Sequence, residues 1–197
     1  TQLHWGGGTP TFLDLEQIER VWTMITKRFA VLDDAEVAIE IDPSVTTADQ
    51  IRLLRKLGFN RVSFGVQDFD PRVQETVNRV QSVERTAELY ELARELGFTG
   101  INFDLIYGLP HQSRESWGKT LQTVAQMRPD RLAVYSFAYL PDRQKQQRKL
   151  PVAGIPTGRD KLSLFSDAYD AFSEAGYETI GMDHFALPDD ELAMAKA

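Results

Sequence analysis

Three adjacent glycines open the stretch with the clearest chemical potential, Gly6-Gly7-Gly8-Thr9-Pro10. It lies between a short apolar run, Leu3-His4-Trp5, and Asp14. Backbone without side chains can meet a ligand through its own N–H and C=O groups, and it takes positive φ without steric cost. Pro10 removes one donor and fixes one dihedral, which stiffens the exit of the loop. The stretch therefore suits a cradle for a small polar ligand, although a tight strand-to-helix turn uses the same residues. Further along, polar residues stand at or near the ends of apolar runs: Glu40, Gln67, Asp104 and the pair Asp183-His184. Asp104 sits between Phe103 and Leu105. In a buried strand a carboxylate there demands a ligand or a cation. Arg79, after Asn78, offers a planar fork for a carboxylate.

Plainer roles exist for each. Glu40 alternates with Ile39 and Ile41, as a solvent-facing strand residue does. Gln67-Asp68 is also turn chemistry ahead of Pro71. His4, His111 and His184 are far apart and show no HxH or HExxH spacing, so a hydrogen-bonded loop histidine is expected at 184 and no metal cage. Arg143, Lys145, Arg148 and Lys149 form a basic cluster, read either as a solvated face or as a steering patch for an anionic substrate.

The elements that must position these residues follow from periodicity. Asp14 with Gln17, and Thr47 with Gln50, have the spacing of capping boxes. The first helix should bury Leu15, Ile18, Val21, Trp22, Ile25 and Phe29, and the second Ile51, Leu54 and Leu57. Strands are expected at Glu36 to Ile41, Arg61 to Val66, Ile101 to Ile106, Arg131 to Ser136 and Tyr177 to Met182. A short turn from Asp70-Pro71 and helices opened by Ser82, Ser113 and Thr157 lie between them, with Gly58, Gly97 and Gly176 as stops. Leu140 to Pro156 reads as a long loop with a helical turn, and Asp183 to Pro188 as a loop. Regular alternation of strand and helix favours a parallel sheet with right-handed crossovers. It leaves a partial barrel and a doubly wound sheet both open. Polar groups at successive strand ends fit the mouth of a β/α barrel, where active sites are built.

The totals narrow the classes. A chain of 197 residues, 42% hydrophobic and 26% charged, suits one globular domain. A net charge of -7 argues against a nucleic-acid or anionic-membrane surface. There is no cysteine, which excludes disulfides and thiolate ligation of a cluster within these residues. No apolar run reaches the length of a membrane span, and no signal-peptide pattern opens the chain, so the expected location is cytoplasmic. Both ends read as cuts through a larger protein.

The motifs carry a resemblance. They are His4-Trp5-Gly6-Gly7-Gly8-Thr9-Pro10-Thr11, Glu40-Ile41-Asp42-Pro43, Gly65-Val66-Gln67-Asp68-Phe69, Val77-Asn78-Arg79, Asp104-Leu105-Ile106-Tyr107-Gly108-Leu109-Pro110 and Gly181-Met182-Asp183-His184-Phe185-Ala186. Together they resemble the central part of the catalytic domain in the bacterial oxygen-independent coproporphyrinogen III oxidase family, within the radical S-adenosylmethionine superfamily. The tail through Asp189-Asp190-Glu191-Leu192-Ala193 is the more specific portion. The resemblance implies a partial (β/α)6 radical-SAM-type barrel, truncated at its N-terminal strand. Residues 1–197 would be a core-domain fragment, without the cluster-binding N-terminal part and the C-terminal domain.

It also implies two S-adenosylmethionine molecules in the parent protein, with a [4Fe–4S] cluster whose ligands this chain lacks. By resemblance, Gly7 and Glu40 would contact the molecule on the cluster. Gly8, Thr9, Gln67, Arg79, Asp104 and Ala138 would contact the second. The implied reaction turns two propionates of coproporphyrinogen III into vinyl groups, giving protoporphyrinogen IX. A reduced cluster would cleave S-adenosylmethionine to a radical that abstracts a propionate hydrogen, and loss of CO₂ and an electron follows. Coproporphyrinogen III and an electron donor are the implied partners, with no nucleic acid or membrane, and the parent is expected to be a monomer. The fragment alone is expected to be inactive, with no catalytic or metal-ligating residue of its own. Two other readings remain: a haem-binding, chaperone-like relative on the same fold, and a phosphate-binding β/α enzyme. The second of these lacks a GxxxxGK[ST] or GxGxxG pattern.

Overall fold

The computed structural model describes residues 2–196. It divides into two compact units, Thr1–Gly65 with Ser82–Phe103, and Val66–Gln81 with Asp104–Ala197.

The first unit holds β1 (Gln2–Trp5), α1 (Leu15–Thr26), β2 (Glu36–Ile41), α2 (Ala48–Lys56), the greater part of β3 (Arg61–Gln67), the helix Val83–Glu95 and the start of the strand Gly100–Tyr107. β1, β2 and β3 pair in parallel, with Leu3 beside Val37, Trp5 beside Ile39 and Ile41 beside Phe64. Period-two alternation is strict in β2: Val37, Ile39 and Ile41 are buried while Glu36, Ala38 and Glu40 are half-exposed. Asp14 and Gln17, and Thr47 and Gln50, make the two expected capping boxes, so the helix starts are those read from the sequence. Ile18, Ile51 and Leu54 are fully buried. Trp5, Trp22 and Phe59 add a ring cluster with centroids 5.1 to 6.4 Å apart. The expected face of α1 is shorter than the periodicity implied. Leu15 is exposed, and Phe29 lies beyond the helix and is exposed too.

The second unit holds the ends of β3 and of β4 (the strand Gly100–Tyr107), then α3 (Pro71–Thr76), α5 (Arg114–Met127), β5 (Arg131–Ser136), α6 (Gly158–Glu174), β6 (Glu178–Ile180), β7 (His184–Ala186) and α7 (Glu191–Met194); α4 is the helix Val83–Glu95. Its strand order is β3-β4-β5-β7-β6. The last strand, expected at Tyr177 to Met182, is β6 at Glu178–Ile180, and the expected loop Asp183 to Pro188 holds a further strand, β7. Gly181 takes φ 66°, the chain reverses, and β7 runs antiparallel to both β5 and β6. The reason is burial: the reversal sets Phe185 beside Leu132 and takes its ring fully out of water. His184 is therefore a strand residue, packed edge-on against Tyr135 at 5.9 Å, and not the expected loop histidine. The turn expected in Leu140 to Pro156 is present as 3-10 turns at Lys145–Lys149 and Val152–Gly154. No helix among the described residues is long and apolar enough to cross a membrane.

The core of this unit centres on Phe172, with ring centroids 5.4 Å from Phe185 and 5.8 Å from Tyr177. Trp117 is fully buried, and its indole N–H donates to the Leu164 carbonyl at 2.9 Å, which ties α5 to α6. Phe172→Ala removes the shared ring, and unfolding in urea should show a loss of about 3–5 kcal/mol.

Candidate binding sites in the two units

In the first unit the glycine loop leaves β1 and is fastened at its far side. Thr11 is buried. Its hydroxyl accepts from Thr46 Oγ1 at 2.8 Å, and its carbonyl accepts from Gln50 Nε2 at 2.9 Å. The same amide donates to the Leu13 carbonyl at 2.8 Å, while Gln50 Oε1 accepts the Thr47 N–H. Gln50 thus caps α2 and pins the loop with one side chain. Thr9 closes a turn by accepting from the Phe12 N–H at 2.9 Å.

The three glycines do different work. A Cβ on Gly6 would stand 2.6 Å from Glu40 Oε1 and 2.8 Å from His4 Nε2, so this glycine makes room for two side chains. Gly7 takes φ 95°, and a Cβ there or on Gly8 would meet nothing within 4 Å. All three glycines are exposed, so bare backbone faces open space. Glu40 is the fifth residue of β2, and its Oε1 lies 3.1 Å from His4 Nε2. A carboxylate only accepts, so Nε2 carries the hydrogen. The sequence reading included Gly7, Gly8, Thr9 and Glu40, and all four belong to this unit. It missed His4 as the partner of Glu40, although the motif contains it.

The second unit carries a cleft of about 630 Å3. Gln67, Asn78, Arg79, Ile106, Leu109 and Lys149 are among the residues that line it. Gln67 closes β3 with φ 64°, a left-handed conformation uncommon for a side-chain-bearing residue. Arg79 follows α3, with its backbone N–H on the Gln74 carbonyl at 2.9 Å. Asp104 does not stand in an apolar wall. Ile101, Phe103 and Leu105 fill the buried face of β4, while Asp104 shares the half-buried face with Ile106, three residues before the strand ends. Ala138 is exposed beyond β5, and its carbonyl accepts from Gln147 Nε2 at 3.0 Å. That carbonyl thus already takes one hydrogen bond from a side chain of the basic segment. Phe137, its neighbour, lines the cleft.

The basic segment is folded on itself. The Leu140 N–H donates to Gln147 Oε1 and Arg148 Nε donates to the Pro141 carbonyl. Gln146, Gln147 and Lys149 of this segment face the cleft. Nearby, Lys161 donates to the Phe137 carbonyl and covers Gly108. Partial burial holds its ammonium below the ordinary lysine range.

Behind the cleft the sequence reading missed a buried carboxylate. Asp68, read as turn chemistry, is 1% exposed. Its Oδ1 accepts from the Asp70 N–H at 2.7 Å and from Thr120 Oγ1 at 2.8 Å, and its Oδ2 accepts from Gln112 Nε2. Loss of hydration raises its pKa above the ordinary 3.8, outweighing the lowering by these three donors.

The first 124 residues match the Radical SAM superfamily, and the chain belongs to that superfamily. Its α/β fold is the radical SAM fold. The chain is similar to oxygen-independent coproporphyrinogen III oxidases: 47% identical to that of Synechocystis sp. over 99% of its length, and 48% identical to that of Escherichia coli K12 over all of it. It spans 42% and 43% of those two proteins. The solved structure of coproporphyrinogen III oxidase (HemN) from E. coli, described as a radical SAM enzyme, superposes with a TM-score of 0.96 at 49% identity, over 99% of this chain and 45% of that one. An archaeal Elp3 at 20% identity and a TM-score of 0.65 shares the fold.

The superfamily implies S-adenosylmethionine and a [4Fe–4S] cluster. The residues here suit the first. In the first unit, open glycine backbone and the Glu40 carboxylate match an amino-acid head group; in the second, the cleft with Arg79 and Gln67 matches a carboxylate and a ribose. They do not suit the second, because no cysteine is present to supply a thiolate.

Gly6→Ala pushes only side-chain ends, so its stability cost should be about 1 kcal/mol or less. It should nevertheless part His4 from Glu40, seen as a shift of the His4 ring signals in NMR spectra. Gly7→Ala forces a left-handed alanine and should cost about 1–2 kcal/mol. For Asp68, the native state holds the proton more tightly than the unfolded chain does. Its contribution is complete below the unfolded value and is lost as pH rises through the raised folded value. Relative to Asp68→Asn, the wild-type protein should therefore lose stability on going upward from about pH 4, measured as the difference in urea-unfolding free energies.

Proposed function

We propose that this chain is part of an oxygen-independent coproporphyrinogen III oxidase, a radical SAM oxidoreductase of haem biosynthesis. Its residues would bind S-adenosylmethionine and present a propionate of the porphyrinogen to it. The observation that carries the reading is the cleft in the second unit, where Gln67 and Arg79 meet a basic segment ending in Lys149. In a chain of net charge -7, that local concentration of Arg143, Lys145, Arg148 and Lys149 is what an anionic substrate would find.

Each residue has a defined task in this reading. In the first unit, Gly7, Gly8 and Thr9 offer backbone groups, and Glu40, held by His4, accepts from an ammonium or a hydroxyl. In the second, Arg79 pairs with the carboxylate of a second S-adenosylmethionine, Gln67 and Asp104 take its ribose, and the backbone at Ala138 borders its base. Lys149 meets a substrate propionate. S-adenosylmethionine supplies the oxidising chemistry when bound, and the protein positions and shields it. Two bound molecules, oxidative decarboxylation of two propionates to vinyls, an electron-donor partner, a monomeric parent and a cytoplasmic location all belong to the proposal. So does the status of residues 1–197 as a core-domain fragment without activity of its own.

The test uses the chain itself. Calorimetry should detect S-adenosylmethionine binding, weakened about tenfold or more by Arg79→Ala, as expected when a charge-assisted pair is lost. Incubation with iron, sulfide and reductant should give neither a stable cluster spectrum nor turnover of coproporphyrinogen III. Tight haem binding without S-adenosylmethionine binding would instead support a haem-carrying relative. Turnover by the chain alone would overturn its reading as an inactive portion.

A further inference from the structure

The second unit buries five polar side chains together. Asp68, Gln74, Gln81, Gln112 and Thr120 are 1, 4, 5, 6 and 1% exposed. Their hydrogen bonds run in chains. Gln112 Nε2 donates to Asp68 Oδ2 and to the Ile106 carbonyl, and its Oε1 accepts the Gly108 N–H. Gln74 Nε2 donates to the Asp68 carbonyl at 2.8 Å, and its Oε1 accepts the Gln81 N–H at 3.1 Å. Gln81 Nε2 donates to the Val66 carbonyl at 2.7 Å. Thr120 bonds Asp68 from α5 and accepts the Phe69 N–H at 3.1 Å.

Apolar residues would fill this volume without the cost of drying five polar groups. What the network adds is direction. Three of the four non-glycine residues with positive φ lie against it: Gln67 (64°) precedes Asp68, Asn78 (54°) lies in the loop that Gln74 and Gln81 bracket, and His111 (67°) precedes Gln112. Such conformations persist only where the surroundings over-determine them, and they gather at ligand sites. The segments so held supply the cleft: Gln67, Asn78 and Arg79, then Ile106 and Leu109.

We infer that Asp68, Gln74, Gln81, Gln112 and Thr120 act as one buried clamp that sets three separate loop corners and thereby positions Gln67 and Arg79 in the cleft. They are positioning residues and touch no ligand. That the ligand is S-adenosylmethionine rests on the functional reading above, whereas the clamp does not.

The experiment separates the two. Asp68→Asn sets an amide N–H₂ against that of Gln112, and amide hydrogen exchange followed by NMR on the whole chain reads the result. Exchange at Gln81 and Gly108 should quicken at least about tenfold, though neither amide bonds Asp68, while amides in the middle of α6 stay unchanged. Quickening confined to Phe69 and Asp70 would overturn the clamp. Should Asp68→Asn not fold, Thr120→Ala is expected to quicken the same amides by a smaller factor, and local quickening alone would again overturn it. The double variant Asp68→Asn with Gln112→Glu restores a donor opposite an acceptor at position 68 while withdrawing the donor from the Ile106 carbonyl, so it should recover part of the protection at Gln81. A merely packing role would gain nothing from that exchange of partners. S-adenosylmethionine affinity by calorimetry should fall about tenfold in Asp68→Asn and return in part in the double variant. If the wild-type chain binds none but exchange spreads as described, the ligand assignment fails and the clamp stands. If the ligand binds and Asp68→Asn leaves its affinity unchanged, the clamp's role in positioning fails.

Discussion

A carboxylate removed from water must be given donors, and the Asp68 side chain receives three, from a backbone amide, a hydroxyl and a glutamine. This is the constraint from which the second unit is built outward. Each donor belongs to a different segment: the start of α3, the body of α5 and the loop after β4. None can shift without leaving a buried polar atom unmet, which costs about 1–3 kcal/mol. Part of the cleft's wall inherits that rigidity, because Gln67 adjoins Asp68 while Ile106 and Leu109 lie close in sequence to Gln112.

The first unit solves its own positioning problem with steric space and fewer polar contacts. Glu40 is steered by His4 and by the absence of a side chain on Gly6. The open backbone of Gly7 and Gly8 is then held from one side only, through Thr11 and the α2 cap. A rigid support with an unencumbered face is what a site needs when its ligand is to be bound by main-chain groups.

Local chemistry made much of this legible in the sequence. The N-caps at Asp14, Thr47, Asp70, Ser82 and Ser113 were readable because each side chain bonds its own helix start. The alternation in β2 and β3 was readable because one face of each strand is fully dry. What escaped were features fixed by distant partners. Asp68 and Gln112 are 44 residues apart, and nothing in either neighbourhood marks the pair. The strand β7 hid in a segment, Asp183 to Pro188, that reads as a loop, since it is the cover of Phe185 beside Leu132 that pairs it with β5. The placement of Asp104 was misjudged for a related reason: an apolar sequence on both sides says nothing of which face of a strand is dry. The motif Gly6 to Pro10 showed where a ligand could lie, but the role of His4 beside Glu40 needed the register of β1 on β2.

Gln50 joins two events that sequence separates by 39 positions. Its amide oxygen secures the first turn of α2, and its amide nitrogen secures the main chain just past the glycines. Fraying of that turn therefore unlatches the loop in the same step. By mass action, a ligand seated on the loop would slow the fraying of a helix it does not touch. The helix end thus becomes a remote reporter of occupancy.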